Sequence, residues 1–455
     1  MTTDGRRALT AEVVDWAVSV GQDELPDEVA HQAKRVILDY AAATLVGSTS
    51  DPARIVQRFV SETEGAGPCA VLGTPLRVSP ASAALANGTA THGMEVDDGY
   101  TPGATHPGGP TVAAVLAMAE ARGSRAADVL RATAVGVELS CRLAGAGHPA
   151  TWRRGFHNTS LTGVFGAAAA VVSLLGGDRD AMSNALGVAG SHAGGLFEFL
   201  GGGGEVKRLH MGKAAREGLV SAELALRGMT GPSTVLEGPQ GYFHAFADDD
   251  YDAEHLVGAL GREWRMLSMY VKPYPCCRHL HGPIDAVLEM QRQRPVDVDA
   301  VESVRVETFT GAARHGSRSI DGFLEAQMSI PFAVAVTLLH GLPDLGHFDE
   351  DVRRDARVRR LVDLVEVEEA ADCVRDFPAM RPARVTIRTA DDERVLRIDQ
   401  PYGEPANPVS DDDLEAKLHR LAGPVVGEAA CRRIVSEVWS FDDPAALLAA
   451  LSGRA

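Results

Sequence analysis

The chain reads as mainly helical with a smaller α+β domain, and two shifts of pattern along its 455 residues say so. Residues 10 to about 265 run as one Ala-, Leu- and Val-rich helical segment after another, punctuated by Gly and Pro. From about residue 300 the period shortens to two, as in Val301 to Phe309. After Pro408 the helical period returns.

Taken in order, Thr111 to Ala121 and Leu161 to Leu175 are apolar nearly all round, which predicts buried central helices rather than surface ones. Pro110 marks a helix start, so His106 is expected just ahead of a helix N-terminus, where unpaired N–H groups favour an anion. His157 precedes the polar pair Asn158-Thr159, read as a cap on the second buried helix. In the middle portion, Ala383 to Ile398 predicts two short strands about the turn Ala390-Asp391-Asp392, with helices near Leu324 to His340 and Asp351 to Leu364. Ser410 before three aspartates predicts the N-cap of the last helical segment. That segment is expected to rejoin the first domain, giving a helical domain of residues 1–268 and 402–455 and an α+β domain of 269–401.

Composition narrows the function. Lys and Arg total 44 against 62 Asp and Glu, a net charge of -18, which argues against nucleic acid as a partner. No apolar run approaches the roughly 20 residues of a membrane span, and Met1 to Leu9 lacks a signal-peptide core. Six scattered cysteines do not make a disulfide scaffold, so a soluble cytoplasmic protein is the expectation. An acidic protein repels polycarboxylates at long range, so a site for one must gather positive charge locally.

Lys272 to His281 packs Lys272, Tyr274, Cys276, Cys277, Arg278, His279 and His281 into ten residues. Its cationic groups suit a ligand bearing carboxylates, and the apolar run after Gly282 predicts a helix that sets Cys277 and His281 on one face. The alternatives are a surface basic patch and a zinc site of Cys276, Cys277, His279 and His281, the latter disfavoured because adjacent cysteines fit one tetrahedron poorly. His92 to Thr101 gathers Glu95, Asp97, Asp98 and Thr101 close to His106; the plainer readings are helix caps, a structural histidine or a hard-cation site. Gly201 to Gly204 precede Lys207, Arg208 and His210 without a phosphate-loop motif, so a hinge delivering Lys207, or a solvated basic turn, is expected. Neither a G-x-S-x-G elbow nor an iron–sulfur ligand run is present.

Taken together these segments resemble the MmgE/PrpD family over almost the whole chain. The resemblance rests on His92 to Asp98, His106-Pro107-Gly108, Gly155 to Thr159 running into Gly163 to Gly166, Lys207 to Gly212, Leu236-Glu-Gly238, Lys272 to His281 with Ile284-Asp285-Ala286, Glu325 to Ser329, and Asn407-Pro408. It implies a large all-helical domain made from both chain ends, an inserted α+β lid, a homodimer, no cofactor, no metal, and a pocket between the domains. Carried over by position, it implies catalytic His106, His157, Lys207 and Lys272. Glu95, Asp97, Thr101, Cys277, Arg278, His279 and His281, from the same dense segments, are expected as substrate contacts. The chain departs from the family's decarboxylase branch at Glu95 (aspartate there), Gly99 (threonine) and Cys277 (histidine). It also carries one extra residue before His106, and no tyrosine lies between Ala312 and Arg318.

The expected activity is therefore cofactor-free acid–base chemistry at the α-carbon of a small di- or tricarboxylic acid. Dehydration of the 2-methylcitrate kind is the first expectation, on family frequency. Epimerisation of a dicarboxylate and decarboxylation of a cis-aconitate-like acid use the same constellation. A binding protein without turnover, and a metalloenzyme built on Glu95, Asp97 and Asp98, are the readings from other classes.

Overall fold

Both ends of the chain build one helical unit, Met1–Tyr270 with Ser410–Ala455, and the middle builds a second, Val271–Val409. The computed structural model describes residues 7–20, 25–63, 65–199 and 204–453. The architecture is mainly α with a smaller α+β part, as the change of period predicts.

In the helical unit the central element is Asn158–Leu174, every residue of which is buried. It packs against Ala126–Gly147, Gly108–Arg122 and Val206–Leu226. An apolar circumference leaves no face for water, so the helix is stable only with neighbours on all sides. Small residues allow close approach: a Cβ on Gly166 would lie 2.5 Å from the Gly136 carbonyl oxygen. The same device brings Val206–Leu226 onto Pro80–Thr91, where a Cβ on Gly88 would sit 2.8 Å from Gly212 Cα. Gly212 belongs to the Lys207 to Gly212 motif, so its small size helps set the depth at which Lys207 lies.

The C-terminal segment enters this unit through the Asp411–Val426 helix, capped by Ser410 Oγ, which accepts from Asp413 N at 3.1 Å. The helix packs on Asp27–Gly47 and delivers Lys417, buried, to Asp39 Oδ1 and to the Val96 carbonyl oxygen, each at 2.5 Å.

The second unit holds a four-stranded sheet in the order Val365–Glu369, Val301–Thr308, Ala383–Thr389, Glu393–Ile398. The first pair is parallel and the others antiparallel, with Val304 opposite both Val365 and Ile387. Val304, Val306, Val385 and Ile387 share a core with Ile284 and Val287 of the His281–Gln293 helix and with Phe332 and Val336 of Ile330–His340. Each such side chain contributes about 1.5–3 kcal/mol when fully buried. The unit extends to Val409, past the expected boundary at 401. Val271 N donates to the Gly403 carbonyl, and Arg278 holds the carbonyls of Pro401 and Tyr402, which fastens that stretch to the second unit.

Two details differ from the sequence pattern. The helix expected over 324–340 breaks at Ser329, whose Oγ accepts from Phe332 N at 3.2 Å and starts a new helix with Pro331 in its first turn. The strand Val365–Glu369, directly after the helix expected to end at Leu364, was not anticipated. Its Val-Glu-Val-Glu-Glu alternation is a charged edge strand, and Arg305 meets Glu368 across it at 3.1 Å. Among the described residues no helix is long and apolar enough to cross a membrane.

Candidate active site

The sequence-predicted residues fall into two clusters, one in each unit. In the helical unit the Pro80–Thr91 helix ends at His92, and the chain turns through Glu95 at φ 56° before reaching Asp97 and Asp98. Asp97 Oδ2 lies 2.8 Å from His92 Nδ1 and 3.1 Å from His106 Nδ1. His106 Nδ1 is also 2.5 Å from the Asp98 carbonyl oxygen. A carbonyl only accepts, so His106 Nδ1 carries the hydrogen and the proton-exchanging nitrogen is Nε2. The Asp98 side chain accepts from Gly108 N at 3.2 Å, in the first turn of the Gly108–Arg122 helix. Burial together with Asp39 and Asp97 pushes the Asp98 carboxyl well above its usual range.

His106 N donates to Thr159 Oγ1 at 3.1 Å, which ties this loop to the helix that follows His157. The pair Asn158-Thr159 therefore joins loops and does not cap. Asn158 Nδ2 donates to the Gly103 carbonyl at 2.6 Å and Asn158 Oδ1 accepts from Thr151. Gly103 closes the single 3-10 turn opened by Thr101, so Thr101 stands at the rim of the same loop.

His157 is buried, with Phe197 and Phe199 edge-on at 5.2 and 5.4 Å and its Nδ1 3.0 Å from His210 Nδ1. Burial, aided by the charges of His92, His210 and Lys207, holds its pKa well below the ordinary histidine value. Burial also lowers His210 and His92 to about 4, with Asp97 opposing the shift at His92. Three neutral imidazoles thus stand beside His106 near neutral pH. Lys207 forms a buried ion pair with Glu95. Arg208 Nε donates to the Gly93 carbonyl at 2.8 Å and anchors the turn that carries Glu95. The Gly201 to Gly203 part of the expected hinge lies outside the described residues.

The cation site imagined from Glu95, Asp97 and Asp98 does not fit these partners, since Glu95 faces Lys207 and Asp98 faces Gly108 N. His92, Asp97 and His106 do hold donor atoms within 4.8 Å of one another. A cation there would have to displace the hydrogen that His106 Nδ1 gives to Asp98, so the geometry is that of hydrogen bonds rather than coordination. Gly99 lies against Tyr270: a Cβ at this position would sit 2.2 Å from the end of that ring, so a larger residue here requires the Tyr270 side chain to move.

In the second unit Lys272 is buried at 1% exposure. Arg278 is fully engaged inside the protein: Nε with Glu404 at 2.8 Å, Nη1 with His281 Nδ1 and the Tyr402 carbonyl at 2.8 Å each, Nη2 with the Pro401 carbonyl at 3.2 Å. His281 is buried, and its Nε2 donates to the Cys276 carbonyl at 3.3 Å. These bonds give Arg278 and His281 a structural part. Cys277 and His281 do not share a helix face, because the helix begins at His281 and Cys277 lies before the 3-10 turn Arg278–Leu280.

The four zinc ligands weighed from sequence are not brought together, since both His281 nitrogens are engaged elsewhere. Instead Cys277 and His279 meet His315. Sequence reasoning missed three histidines as site groups. His92 and His210 stood inside quoted motifs, and His315 lies in the stretch searched for a tyrosine.

Residues 11–254 match the MmgE/PrpD N-terminal domain and residues 274–441 match the MmgE/PrpD C-terminal domain. The chain is 28% identical over 466 residues to the cis-aconitate decarboxylase of Aspergillus terreus (strain NIH 2624 / FGSC A1156), covering 97% of this chain and 94% of that protein. It is 30% identical over 483 residues to the cis-aconitate decarboxylase-like protein oryM of Aspergillus oryzae, 98% of each chain. Against the human cis-aconitate decarboxylase it is 28% identical over 435 residues, 92% of this chain and 89% of the other.

Proposed function

The chain belongs to the MmgE/PrpD family, and from that premise we propose that it is a lyase that decarboxylates cis-aconitate or a closely related unsaturated tricarboxylate. The observation that carries the reading is His106, whose Nδ1 is fixed by Asp97 and the Asp98 carbonyl so that Nε2 exchanges the proton. The Aspergillus terreus and human relatives are cis-aconitate decarboxylases, which favours this outcome over the dehydration that family frequency suggested.

In cis-aconitate one carboxylate sits on the carbon next to the double bond. When it leaves as carbon dioxide, the electron pair of the broken C–C bond moves with the shifting double bond, and negative charge arrives beside a second carboxylate. One proton completes the reaction, and protonated His106 supplies it from Nε2. Lys207, held by Glu95, stabilises the developing charge. His157, neutral and buried, is the second proton-transfer group, oriented by His210. Lys272 is a carboxylate anchor in this reading, and Asp97 is the group that sets the His106 tautomer. No step calls for a cofactor.

The test is incubation of the purified protein with cis-aconitate, 2-methylcitrate and iminodisuccinate, following carbon dioxide release, double-bond absorbance and proton exchange from deuterated water. Carbon dioxide from cis-aconitate supports the proposal. Water loss from 2-methylcitrate without carbon dioxide replaces it with a hydro-lyase, and exchange alone with an epimerase. Binding without any turnover makes the chain a binding protein.

A further inference from the structure

None of the six cysteines is paired in a disulfide; five are buried and Cys277 alone is half-buried. Its Sγ lies 3.8 Å from His315 Nε2. His315 Nδ1 is 2.9 Å from the Met328 carbonyl oxygen, which only accepts. Nδ1 therefore carries the ring hydrogen, and the lone pair of the neutral imidazole is at Nε2, facing sulfur. His279 completes the group, its ring centroid 5.2 Å from that of His315 and its Nδ1 3.3 Å from Arg381 Nη1. A guanidinium only donates, so His279 Nδ1 accepts and its hydrogen sits at Nε2.

A thiol beside a fixed imidazole lone pair loses its proton easily, and the thiolate is the nucleophile. The other five cysteines lack that combination of access and base: burial pushes the thiols of Cys69, Cys141, Cys373 and Cys431 up, and Cys276 is fully buried. The three donors also invite a metal. The hydrogen that His279 keeps at Nε2 while accepting from Arg381 works against a three-ligand site, so the pair of Cys277 and His315 is the stronger reading.

We propose that Cys277 and His315 form a thiol–imidazole pair that makes Cys277 the covalent-modification site of this chain toward small alkylating electrophiles. In the step, the thiol proton passes to His315 Nε2, the sulfur electron pair forms the new S–C bond, and the leaving group departs with the electrons of the bond that breaks. The inference does not depend on which reaction the enzyme performs.

The experiment treats the full-length protein at neutral pH with iodoacetate or iodoacetamide, iodide being the leaving group, and maps labelled peptides by mass spectrometry over time. Cys277 should react at least about tenfold faster than any other cysteine. His315→Gln should slow it at least about fivefold, with the thermal melt unchanged. Equal rates among cysteines, an unchanged rate in a folded His315→Gln protein, or fast labelling that survives Cys277→Ser would each overturn the pair. Labelling that appears only after a chelator is added would overturn it in favour of a metal site.

Discussion

His157 and His210 meet nitrogen to nitrogen, Nδ1 to Nδ1 at 3.0 Å, inside the helical unit. One ring must donate and the other accept, so the contact is lost when both are protonated. Both have lowered pKa values, and so does His92; His92 and His210 fall to about 4 from 6.5. Unfolded histidines take up protons below about pH 6.5 while these folded ones resist, so the unfolded state binds more protons and acid favours unfolding. Each histidine held neutral to about 4 contributes about 3 kcal/mol above pH 6.5, lost progressively toward pH 4. Urea denaturation at pH 7, 6, 5 and 4 should show stability falling steadily, and a flat profile would contradict the neutral-imidazole description.

Asp97 offers one oxygen to two imidazoles, His92 at 2.8 Å and His106 at 3.1 Å. Asp97→Asn presents either a neutral oxygen or an N–H to those two N–H donors. It should lower kcat about 100-fold or more while KM stays within about threefold, because the proton-transfer tautomer rather than binding is disturbed. A change confined to KM would show that Asp97 holds substrate instead.

Lys207 and Glu95 form an ion pair at 8% and 2% side-chain exposure. Removing one partner strips the other buried charge of this counter-ion, so Lys207→Met and Glu95→Gln should each destabilise by about 3–5 kcal/mol. The double variant should cost less than the two single costs added together. Turnover should fall about 100-fold or more in both variants that lack Lys207. Additive stability losses would mean that the two groups do not act on each other.

The buried helices and the two strands after Ala383 were legible because an apolar circumference and strict alternation leave few alternatives. Ser410 was legible for the same reason, since a capping serine before three aspartates has one use. The strand at Val365 was not, because five residues are too few to show a period beside a helix. In the site, His106 and His157 could be read from their place before buried helices. His210 could not be paired with His157, 53 residues away, since only the packing of Val206–Leu226 brings them together. The density of charge around Arg278 was visible, but its partner Glu404 lies 126 residues on. Sequence density alone does not tell an internal ion pair from a ligand site.

Lys272 is buried, and its charge helps keep His281 neutral. If it anchors a carboxylate, Lys272→Ala should reduce kcat/KM about 100-fold or more. The loss of activity should far exceed the loss of stability, read from kcat/KM beside the melting temperature. Equal losses in folding and activity would mark the residue as structural.

Arg142 is fully buried and gives four hydrogen bonds: Nε to Glu138 at 2.5 Å, Nη1 to the carbonyls of Leu256 at 3.0 Å and Gly258 at 2.9 Å, and Nη2 to that of Glu263 at 2.6 Å, while Glu138 also accepts from Arg265 N and Met266 N. The arrangement clamps residues 256–266 onto the Ala126–Gly147 helix. Arg142→Met should orphan three carbonyls and leave Glu138 without its counter-charge, a loss of about 3–5 kcal/mol. Arg142→Lys should rescue little, because one ammonium cannot span a planar fork of carbonyls. None of these groups exchanges a proton in the proposed reaction, so protein that remains folded at low temperature should keep its kcat. Denaturation midpoints combined with turnover at 10 °C separate the two effects, and a loss of kcat in fully folded protein would place the clamp in the catalytic machinery.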